Sequence, residues 1–135
     1  MKNWFKWVAL IFLLFIVYIV YSANTGHNII VFQFVNYLPF GDKMGHFFLF
    51  GFFSLVVNIA LKFKPFKYFK SIPLGTCLVL ICLILEELSQ AYFPNRTLDF
   101  VDLIADSLGI AVFTLIGIYF NNKGCFTQNK AEDLL

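Results

Sequence analysis

The chain has 135 residues, of which 60% are hydrophobic and only 13% charged, and it carries 19 Phe, 6 Tyr and 2 Trp. A water-soluble domain of this size has too much surface for its volume to hide so many large apolar side chains, so the composition excludes an ordinary soluble enzyme and points to a membrane. The formal net charge of +2 comes from basic residues scattered among loops and carries no nucleic-acid signal.

Crossing ~30 Å of hydrocarbon at ~1.5 Å per residue takes ~20 helical residues. Four segments come close: residues 7–23, 44–61, 71–88 and 103–120. Trp4, Trp7, Tyr18, Tyr21, Tyr92 and Tyr119 lie near their ends, as interfacial aromatic anchors do. The expected fold is all-α: a single domain over residues 1–135, built as a polytopic bundle of four transmembrane helices, with 121–135 as a tail. Lys2 and Lys6 before the first apolar run also fit a secretory signal, but Tyr21 is a poor residue three positions before a cut at Ala23.

Between the first and second segments, residues 28–41 are apolar but too short to span, and Pro39 interrupts helix geometry near their end. They are expected as an outer loop lying in the interface, with a β-like stretch at 29–35 as an alternative. Cys77 and Cys82 fall in an apolar run and Cys125 in the tail, which makes no disulfide framework.

Lysine and arginine set the orientation. With the N-terminus inside, eight of the ten basic residues (Lys2, Lys6, Lys62, Lys64, Lys67, Lys70, Lys123 and Lys130) are cytoplasmic, and only Lys43 and Arg96 lie outside. Both termini are therefore expected in the cytoplasm. Acidic residues took no part in that inference, yet all but Glu132 and Asp133 fall on the outer side, as do His27 and His46.

The uncharged stretches 47–61, 71–85 and 107–120 contain only 15, 15 and 14 residues. To cross a bilayer their helices must extend at the outer ends, which draws His46, Glu86 or Glu87, and Asp106 to the interface or below it. Ionisable groups at that depth are functional candidates and should turn toward one another, since lipid would leave them unpaired.

Asp42 and His46 are one helical turn apart, and a carboxylate beside an imidazole can fix the tautomer needed for acid or base work. The blander reading is a helix cap and an interfacial His. Glu86 and Glu87 stand four and three residues before Gln90, so only one of them can share a pocket fully with it; Glu87 is the expected one and Glu86 the interfacial one. Asp99, Asp102 and Asp106 follow one helical stripe with Arg96 upstream as counter-charge. Asp99 suits the helix dipole, and Gly109 permits close approach of a neighbouring helix. One His with several carboxylates can bind a divalent cation, but no compact metal signature is present, and no cofactor is assigned.

In order and spacing, Asp42-Lys43-Met44-Gly45-His46-Phe47, Glu87-Leu88-Ser89-Gln90, Pro94-Asn95-Arg96 and Asp102-Leu103-Ile104-Ala105-Asp106-Ser107-Leu108-Gly109 resemble the VanZ-like family of small bacterial membrane proteins. The resemblance covers residues 42–109; the family pattern usually has Asn where this chain has Asp106. It implies a multi-pass protein of the bacterial plasma membrane, whose founding member is linked to resistance to the glycopeptide teicoplanin.

Taken together, these features lead to the expectation of an outward-facing polar site that acts on or binds a cell-envelope component, lipid-linked or from the cell wall. In an enzyme, Asp42, His46, Glu87 and Asp102 would carry the chemistry, with Lys43, Gln90, Arg96 and Asp106 binding substrate and Arg96 holding an anionic group. A non-catalytic protein that binds or masks its ligand is the alternative. A proton- or ion-coupled transporter ranks last, because the inner halves of the helices offer only neutral groups such as Ser54, Asn58 and Thr114.

Overall fold

A computed structural model describes residues 4–94 and 96–126, which are all-helical in their regular structure. Asn95 of the Pro94-Asn95-Arg96 motif, Lys2, Lys130, Glu132, Asp133 and most of the tail lie outside the described residues. The elements are α1 (Trp4–Asn24), α2 (Ile30–Tyr37), α3 (Gly41–Ala60), α4 (Leu74–Gln90) and α5 (Phe100–Asn122).

Three of these helices, α1, α3 and α5, are long and apolar enough to cross a membrane. With 17 residues, α4 is at the short end of what a crossing requires. Large apolar side chains such as Trp7, Ile11, Leu14, Ile81, Leu85 and Leu115 stand exposed around the bundle, a surface suited to lipid.

The 28–41 segment departs from expectation. It forms neither a loop nor a strand, because Val31, Phe32 and Val35 recur at helical spacing and turn toward the bundle as α2. The turn that follows puts Phe40 in the left-handed region at φ 55°. It brings the start of α3 so close to α2 that a Cβ on Gly41 would strike the Val35 carbonyl.

The most extensive packing joins α3 to α5, two helices that begin at the same end of the bundle and run parallel. Glycine makes this possible. A Cβ on Gly109 would collide with the Phe47 backbone, and one on Gly51 would meet the Phe113 ring and lie 3.1 Å from the Gly109 carbonyl. Backbones this close fix the register: His46 faces Asp106 and Ser54 faces Thr114, each at an offset of 60 residues. Antiparallel to both runs α4, and Phe50, Val79, Leu83 and Ile110 form the buried apolar layer between them. α1 packs on α3, with Ile16 joining the same core.

Candidate functional site

The starts of α3 and α5 and the end of α4 meet at one end of the bundle, which the register of α3 on α5 makes a charged layer. The Lys43 ammonium donates to Asp99 at 2.7 Å and to Asp102, and lies 3.4 Å from Asp42. Asp99 also caps α5 by accepting from the Val101 amide at 2.8 Å. The Lys43 ammonium, together with that amide, holds the Asp99 carboxyl below its ordinary range.

One turn deeper, His46 Nδ1 lies 3.2 and 3.1 Å from the two carboxylate oxygens of Asp106. Asp106 is fully buried, because it continues the stripe that carries Asp102, Gly109, Ile110 and Thr114 into the core. The partner expected for His46 was Asp42; the closer one is Asp106. His46 Nε2 is 3.9 Å from Asp42 and 3.8 Å from Asp102, beyond hydrogen-bond reach of either. A buried carboxylate orients one ring nitrogen, and the other is left facing two more carboxylates. This suits His46 to exchange a proton with a molecule seated beside it.

On α4 Glu87 turns inward as expected, and the pairing with Gln90 expected for it is made by Glu86. The buried stripe of this helix runs through Thr76, Val79, Leu83, Glu87 and Gln90, so Glu87 points into the protein and is 5% exposed. Neither of its carboxylate oxygens has a hydrogen-bond partner among the described residues. Glu86, one residue round the helix, accepts from the Gln90 amide at 2.9 and 3.0 Å and meets Arg96 Nη2 at 3.5 Å. Glu86 is thus the carboxylate that shares a pocket with His46. Extending the apolar stripe of Val79 and Leu83 by one turn would have revealed this.

Asp42, His46, Glu86 and Arg96 supply the polar lining of a cavity of about 170 Å³, whose apolar walls come from α1, α2 and α3. A larger groove, about 420 Å³, runs between α1 and α4 past Val20, Phe53, Cys82 and Leu85. Val20, Phe50 and Glu86 line both spaces, so the groove ends at the polar cavity. Of the expected site residues, the cavity takes Asp42, His46 and Arg96. Lys43, Asp102 and Asp106 stand behind His46 on the α3–α5 seam, and Gln90 acts through Glu86.

Asp42, His46 and Asp102 each offer a ligand atom within 4.8 Å of the others, a geometry open to a divalent cation. Lys43 already places its ammonium on two of these three residues, so a metal would have to displace an internal cation. Comparisons with protein-family models, curated proteins and solved structures give no match.

Proposed function

We propose that this chain is a VanZ-like integral membrane protein that binds an amphiphilic, lipid-linked component of the bacterial cell envelope at the outer face of the plasma membrane. In this reading α4, with the non-helical residues 71–73 before it, crosses as a fourth span, both termini are cytoplasmic, and the charged end faces outward. One observation carries the proposal: a small cavity with His46, Glu86 and Arg96 at its rim lies at the end of an apolar groove between two helices. Such a site matches a molecule with a polar head and an alkyl tail.

The founding member of the family this chain resembles is linked to teicoplanin resistance, and that phenotype supplies the readout. The test is expression in a teicoplanin-sensitive bacterium, with membrane content measured for each variant. The intact chain should raise the tolerated concentration, and His46→Ala and Glu86→Gln should abolish the gain while the protein stays in the membrane. Equal protection by all three would remove the site from the function.

The geometry of His46 favours a second reading, acid-base hydrolysis or group transfer on the same molecule. It requires a released product that accumulates beyond one equivalent and disappears in His46→Ala.

A further inference from the structure

The proposed amphiphile leaves the sign of its head group open, and the charges around the cavity address it. Six carboxylates (Asp42, Glu86, Glu87, Asp99, Asp102 and Asp106) gather at this end against two permanent cations, Lys43 and Arg96. Lys43 is taken up by Asp99 and Asp102, with Asp42 nearby. Arg96 lies against Glu86. Even a protonated His46, already held by Asp106, leaves a negative surplus. An anionic head entering the cavity would meet Asp42 and Glu86 directly and find Arg96, the permanent cation of the lining, already beside Glu86. A cationic head would offset charge that the protein leaves unbalanced at the edge of an apolar space.

We propose that the occupant is a cationic amphiphile: an alkyl chain between α1 and α4, with an amine head at the carboxylates of Asp42 and Glu86. This deepens the amphiphile reading and rests on it. Arg96 then acts as a positioning residue, holding Glu86 toward the cavity with help from Gln90. The anion-binding role expected for Arg96 passes to these two carboxylates as a cation site.

Cys82 lines the groove and reports on the chain of the occupant. In a full-length variant carrying Cys77→Ala and Cys125→Ser, held in dodecyl maltoside, the rate at which N-ethylmaleimide alkylates Cys82 is measured with tetradecylamine, tetradecyl phosphate or tetradecanol. Tetradecylamine should slow alkylation about tenfold more than the other two, the fold-change of one partly desolvated ion pair. Glu86→Gln should erase that difference. Asp42→Asn, at a side chain 63% exposed and so outside the packed core, should reduce it without affecting folding. Equal protection by all three amphiphiles, or stronger protection by the phosphate, overturns the cationic assignment and leaves the amphiphile reading standing. Protection by none of them overturns both.

Discussion

The two ends of the α3–α5 pair are built on one register and differ in what they leave unsatisfied. At the charged end, His46 meets Asp106; eight residues on, about 12 Å at ~1.5 Å per residue, Ser54 meets Thr114 at 3.0 Å. The second layer is neutral and its hydroxyls are linked: Thr76 and Thr114 are 2.9 Å apart, and Asn58 donates to Thr76 at 2.8 Å, leaving only the Asn58 Oδ1 of this layer without a partner among the described residues. Ser54 and Asn58 have no exposed surface. Hydroxyls that both donate and accept can satisfy one another, whereas carboxylates that only accept cannot, so the charged layer keeps a demand for cations and protons that its neighbours do not meet. The neutral layer ties three helices together; the charged layer faces a cavity.

Mutations at the seam separate the two layers. Gly109→Leu should have the largest effect, because its side chain would enter the Phe47 backbone and disturb both layers at once; a loss exceeding the ~1–3 kcal/mol of ordinary overpacking should appear as failure to recover folded protein. Next comes Asp106→Ala, which strips the buried partner from His46 and should lower stability by about 1.5–3 kcal/mol in detergent melts. Asp106→Asn should recover much of that stability while altering every activity that depends on the His46 tautomer. Thr114→Val should cost about 1–3 kcal/mol through unpaired neighbours at Ser54 and Thr76 while leaving ligand protection of Cys82 intact, a result that would mark the neutral layer as purely structural.

Smaller effects belong to the exposed edge. Lys43→Gln should lower stability by about 1 kcal/mol at low salt and less at high salt, since the ammonium is 30% exposed and screened. Asp99 has a lowered pKa in the folded protein, so it binds protons more readily when unfolded. Its contribution is present above the ordinary carboxylate range and fades as pH falls through the lowered value, and Asp99→Asn should flatten the acid limb of a pH–melting curve.

Much of this was legible from residue spacing. The positions of the three long helices α1, α3 and α5 and of the shorter α4 follow from apolar length, and the Asp99-Asp102-Asp106 stripe and Gly109 follow from helical period. Less legible was anything that depends on rotation between helices. Spacing alone allows His46 to pair with Asp42 along its own helix, and only the close approach at Gly109 brings Asp106 nearer. Likewise, adjacent Glu86 and Glu87 differ by the ~100° turn between neighbouring residues, which the packing of Val79 and Leu83 resolves. The β-branched run in α2 suggested extended chain, but the apolar face it presents to the bundle outweighs that local preference.

Steric interlocking at Gly51 and Gly109 has a mechanical consequence. With backbones keyed together and polar pairs on either side of the keys, sliding one helix along the other would break hydrogen bonds at both levels, so α3 and α5 behave as one stave. The groove is walled by α1 and α4, and this fixed pair supplies Phe50 and Phe53 of α3 between them.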